Sequence, residues 1–132
     1  MLLELKINID KVSGVGKNNF GITKNGIHYP KKNFKIFREK FITEIKKQLS
    51  NKTDFKTINI PVKLTLWYKP LDKRMRDATA ILDAVFHIFE YCRIIENDAL
   101  IKKIDYQELN METDFVFYIR LESIDEFKEK GI

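Results

Sequence analysis

The chain has 132 residues, of which 44% are hydrophobic and 33% charged, and its formal net charge is +5. That length fits one domain and that balance fits a globular protein with a real core, which excludes a disordered tail. A lone cysteine, Cys92, excludes an internal disulfide and argues against a cysteine-based zinc site. No run approaches the ~18 apolar residues that a membrane-spanning helix needs, so no membrane partner and a cytoplasmic location are expected.

The charge is segregated. Residues 1–76 hold 18 Lys and Arg against 6 Asp and Glu, a net +12, whereas residues 77–132 hold 6 against 13, a net −7. A basic surface for a polyanion, plus an acidic patch that is either a metal site or a solvated face, accounts for that division.

Leu3, Leu5, Ile7 and Ile9 alternate with polar residues, the period-2 pattern of a half-buried strand. The stretch VSGVGKNNFGITKNGIHYP contains four of the five glycines and an Asn25-Gly26 pair, which predicts a type I′ hairpin between arms around Ile22 and around Ile27 to Tyr29. Gly14 and Gly16 lack the third glycine and the following helix of a dinucleotide site, so they read as a loop. Lys17, Asn18, Asn19 and Lys24 beside them fit either phosphate-backbone contact or ordinary surface exposure.

From Lys31 to Leu49 the period changes. Phe34, Phe37, Phe41, Ile45 and Leu49 form a helical stripe, and Lys31, Lys32, Lys35, Arg38, Lys40, Lys46 and Lys47 fill the remainder. This basic amphipathic helix is expected to pack on a sheet, with Lys32 and Lys35 candidates for DNA contact. Val62, Leu64, Leu66 and Tyr68 then alternate in a strand ended by Pro70. Asp77 to Cys92 reads as a second helix with Asp77 as N-cap and Leu82, Val85, Phe86 and Phe89 on its apolar side. His87 falls near that side and, like His28, reads as neither ligand nor base. After a turn at Glu96-Asn97-Asp98, strands are predicted around Leu100 to Tyr106 and from Phe115 to Leu121. The order predicts an α+β fold: a single domain over residues 1–122, two main helices on a mixed or antiparallel sheet, and a short polar tail at 123–132.

Three aspartates carry the candidate chemistry. A Mg²⁺-dependent nuclease needs carboxylates from separate segments to converge on a hard, octahedral cation, and Asp77, Asp83 and Asp98 come from a helix start, a helix body and a turn. Lys73, Arg74 and Arg76 immediately before Asp77 would hold the phosphate. The same three aspartates also read as a cap, a solvated helix residue and a turn former.

The chain resembles the RusA family of Holliday junction resolvases over roughly residues 3 to 122. The resemblance rests on an opening strand, a GKNN loop, a hairpin, a basic helix, a strand, an arginine-rich run followed by Asp77, and a late aspartate in RIIENDALI. The family pattern of an Arg-rich stretch, Asp-x-Asp-Asn, a lysine and a late Asp-Asp pair falls on Arg76, Asp77, Thr79, Ala80, Asp83, and Asn97 with Asp98. Thr79 stands where the family has its second aspartate and Asp83 where it has its lysine. Residues four apart on a helix are neighbours, at about 5–6 Å between Cβ atoms, so Asp83 would supply from one turn further on the carboxylate that Thr79 lacks.

The resemblance implies a homodimeric, Mg²⁺-dependent endonuclease, with Mn²⁺ the other candidate metal, that cuts four-way junctions symmetrically in recombination and repair. Asp77, Asp83 and Asp98 would be its catalytic metal ligands. A C2 dimer suits two symmetric cuts; Trp67 and Tyr118 are exposed candidates for its interface, or ordinary sheet packing. The alternatives are a degenerate relative that binds branched DNA without cutting, and an interaction domain whose basic helix meets an acidic partner.

Overall fold

A computed structural model describes residues 1–10, 20–52, 54–71 and 78–124. Of the sequence expectations, those for Lys17, Asn18, Asn19, Lys73, Arg74, Arg76 and Asp77, for Gly14 and Gly16, and for nearly all of the polar tail, lie outside the described residues.

The fold is α+β. Strand β1 (Leu3–Ile7) is followed by a small hairpin of β2 (Phe20–Ile22) and β3 (His28–Pro30), then helix α1 (Lys32–Leu49), β4 (Val62–Tyr68), helix α2 (Ala78–Tyr91), a single 3₁₀ turn (Asp98–Leu100), β5 (Ile101–Glu108) and β6 (Phe117–Ser123). The main sheet runs β1-β6-β4-β5 and is mixed: β6 is antiparallel to both β1 and β4, while β4 and β5 are parallel. Parallel neighbours need a crossover, and the chain between β4 and β5 supplies it through α2. That crossover brings the candidate site together, because it ties the helix carrying Asp83 to the turn carrying Asp98.

Alternation explains the sheet. Leu3, Leu5 and Ile7, Val62, Leu64, Leu66 and Tyr68, and Phe117, Ile119 and Leu121 are all buried in one core with Phe34, Phe37, Phe41 and Ile45 of α1. At its centre the Phe117 ring stacks on Tyr68, with centroids 4.9 Å apart, and meets Phe41 edge-on at 5.3 Å and Phe37 at 6.1 Å. On the opposite face Trp67 and Tyr118 are cross-strand partners with rings 5.2 Å apart, the sheet packing expected of them.

Two local expectations need correction. The Asn25-Gly26 hairpin is not type I′. That turn needs positive φ at both central residues, but in this loop only Gly26 has it, at +79°. Instead Gly26 N–H donates to Thr23 O and Thr23 N–H to Ile27 O, so three residues close the loop and glycine takes its left-handed position. The buried stripe of α2 is also rotated from the expected one. Ile81, Ala84, Val85, Ile88 and Phe89 are buried, while Leu82 and Phe86 are only half-buried. Among the described residues no helix is long and apolar enough to cross a membrane.

Candidate active site

The exposed side of α2 and the turn before β5 form an open cleft of about 530 Å³ lined by Asp83, Phe86, His87, Glu90, Tyr91 and Asp98. On a helix, residues 83, 86, 87, 90 and 91 recur at three- and four-residue spacing, so one stripe of α2 forms a whole wall.

Asp98 reaches that wall through a sequence of local devices. Helix α2 ends in a Schellman turn: Arg93 N–H donates to Glu90 O and Ile94 N–H to Phe89 O, with Ile94 and Phe89 both buried. Arg93 sits at the left-handed position of that motif with φ +59°, where glycine is the usual residue. The chain then pins itself to the loop before β4, as Ile58 N–H donates to Ile94 O and Glu96 N–H to Ile58 O. Asn97 caps the 3₁₀ turn by accepting from Ala99 N–H at 2.7 Å, and Glu90 Oε1 accepts from Asp98 N–H at 3.1 Å. Glu90 thus fixes the backbone of Asp98 against α2. Because a non-glycine residue at left-handed φ carries a steric cost, Arg93→Gly is expected to stabilise the fold by about 1 kcal/mol. A urea titration checks this, and an unchanged or lowered midpoint would contradict it.

Behind the cleft wall lies a residue assigned by sequence to the solvated face of α1. Arg38 is only 6% exposed. Its Nη1 donates to His87 Nε2 at 3.2 Å, and its guanidinium carbon lies 4.2 Å from the centroid of the Tyr91 ring. Arginine can only donate, so His87 accepts at Nε2 and carries its proton at Nδ1. Burial first, and the Arg38 charge second, hold the His87 imidazole below the usual histidine range. Phe34 backs the same ring at 5.6 Å. His87 is therefore half-buried, as expected from sequence, but it also lines the cleft.

Of the proposed ligands, the structure brings Asp83 and Asp98 to one cleft, both exposed. Thr79 lies one turn before Asp83 and is exposed, and Ala80 is turned into the protein. Lys32 and Lys35 are exposed in the first turn of α1 and do not line the cleft. Glu90, Phe86 and Tyr91 are members of the cleft that sequence reasoning missed, although their spacing from Asp83 was there to be read.

Asp83, Glu90 and Asp98 offer only oxygen donors, which suits a hard cation such as Mg²⁺ better than zinc. Among the described residues no three His, Cys, Asp or Glu side chains are grouped so as to hold a metal ion. Mg²⁺ is commonly bound through one or two carboxylates with its own waters and substrate phosphates, so the donor chemistry fits. No protein-family model matches the chain, and no curated protein matches it significantly.

Proposed function

We propose that the protein is a Mg²⁺-dependent, structure-specific DNA endonuclease of the RusA type, acting in the cytoplasm as a homodimer on four-way junctions in recombination and repair. The observation that carries this reading is that Asp83, from α2, and Asp98, from a turn 15 residues later, line one open cleft together with Glu90. Asp83 and Asp98, with Asp77, would hold the cation. When bound, Mg²⁺ supplies Lewis-acid stabilisation of developing charge on the phosphate and activation of water. Glu90 keeps Asp98 in place, and Lys73, Arg74 and Arg76 neutralise the phosphate under attack.

Helix α1 supports DNA binding by a separate feature. Its N-cap is Lys31, which makes no side-chain cap hydrogen bond, and its first turn has no acidic residue but contains Lys32 and Lys35. Positive charge there opposes the helix dipole and lowers helix stability, whereas a bound phosphate would relieve both costs. Lys32 and Lys35 accordingly contact the DNA backbone, together with Lys17, Asn18 and Asn19 of the GKNN loop.

The test is junction affinity as a function of salt. Lys32→Gln with Lys35→Gln is expected to flatten the slope of log affinity against log salt by about one unit for each lysine lost. A salt-independent affinity in the wild type would remove the nucleic-acid reading and leave the domain as a binder of an acidic protein partner. Thr79, standing where the family has an aspartate, favours one second reading: a relative that holds branched DNA without cutting it.

A further inference from the structure

The ring of Tyr91 is 56% exposed, yet it is not loosely held. Arg38 lies against it at 4.2 Å, and the His87 ring sits 5.9 Å away at an angle of 31°. Arg38 in turn is fixed by its hydrogen bond to His87, and Phe34 fixes His87 from behind. The arrangement is costly to fold, because among the described residues Arg38 Nε is buried without a hydrogen-bond partner, and the Glu39 carboxylate stands off at 4.0 Å from Nη2. Packing alone does not call for a buried guanidinium beneath an exposed ring. The result is an aromatic surface held in one orientation at the rim of an open cleft of about 530 Å³.

Resting on the DNA reading above, we propose that Tyr91 is a stacking platform for one unpaired nucleobase at the branch point, with Arg38 as the positioning residue that holds it. Every base has a flat π face, so an aromatic ring of this kind binds without sequence preference. A base inside a duplex already has both faces covered by its neighbours. Only a base released at a branch or in a single strand can lie on Tyr91, and the platform therefore selects branched over linear DNA. The guanidinium beneath draws electron density from the tyrosine ring, which favours stacking of an electron-rich base above it. Phe86 extends the apolar wall beside the same carboxylates that would serve the scissile phosphate.

The experiment uses a four-way junction with 2-aminopurine at the branch point, a linear duplex and a single-stranded oligonucleotide, titrated with wild type, Tyr91→Phe and Tyr91→Leu. Wild type and Tyr91→Phe are expected to quench the 2-aminopurine fluorescence. Tyr91→Leu is expected to lose the quenching and to bind the junction and the single strand roughly tenfold to a hundredfold more weakly, with duplex affinity unchanged. The platform is overturned if Tyr91→Leu quenches and binds the junction as wild type does, or if it weakens duplex and junction equally. Wild type that binds no DNA even at low salt would overturn the nucleic-acid reading itself, and is distinguished from the other outcomes by the duplex control.

Discussion

Asp83→Asn is expected to lower metal-dependent junction cleavage by about a hundredfold or more, the scale on which a misplaced catalytic group costs rate, while junction binding stays equal to wild type or tightens. The substitution keeps the shape of the side chain and removes its charge. Asp83 is exposed on α2, and surface changes of this kind usually alter stability by no more than about 0.5 kcal/mol, so lost cleavage would not be lost folding. Removing one carboxylate from a cleft that also contains Glu90 and Asp98 weakens its hold on a divalent cation and reduces its repulsion of phosphates. Cleavage therefore falls while binding does not. Cleavage and binding are measured on the same labelled junction; full cleavage by the variant would show that no carboxylate at position 83 replaces the one missing at Thr79.

Phe117→Ala should be the most damaging single change in the core. The ring contacts Tyr68, Phe41 and Phe37, and so joins the centre of the sheet to α1. Truncating such a residue removes its burial energy and leaves a cavity that rigid strands cannot close, a combined cost of about 3–5 kcal/mol. Domains of this size are stable by only about 5–15 kcal/mol, so the variant would lose a large part of its margin. Guanidinium unfolding is expected to show a lower midpoint at an unchanged slope. A loss below about 1 kcal/mol would mean that the contacts around Phe117 do not form the core described.

The sheet was the most legible part of the sequence because a strand with one buried face must alternate, and Val62, Leu64, Leu66 and Tyr68 all take the core face, although Thr65 between them is buried too. Helix α1 was legible for the same reason at a different period. Helix α2 was read with the wrong centre: apolar residues surround much of it, so Leu82 and Phe86 competed with Ile81 and Ile88 for the buried stripe and tertiary packing decided. The hairpin misled through Asn25-Gly26, a strong type I′ signal that a three-residue loop can also use.

At the site, Asp83 and Asp98 were found by chemistry, and both do line one cleft. How Asp98 gets there was hidden, because the Schellman turn uses Arg93 where a glycine would have announced it. Arg38 was missed because its charge placed it with the lysines of α1. Its position, four residues after Phe34 and three before Phe41, put it on the edge of the buried stripe, and that spacing outweighed its charge. Glu90 and Tyr91 were not singled out from the sequence at all.

Cleavage of DNA at a cation held between Asp83 and Asp98 is what the proposed function requires. The most direct measurement is cleavage of a synthetic four-way junction, with a linear duplex as control, by the wild type and by Asp98→Asn, each with and without Mg²⁺. Symmetric nicks in the junction that require the metal, spare the duplex and vanish in Asp98→Asn are the predicted result. A wild type that binds the junction tightly but leaves it uncut in both Mg²⁺ and Mn²⁺ would contradict the claim and make the protein a binder of branched DNA.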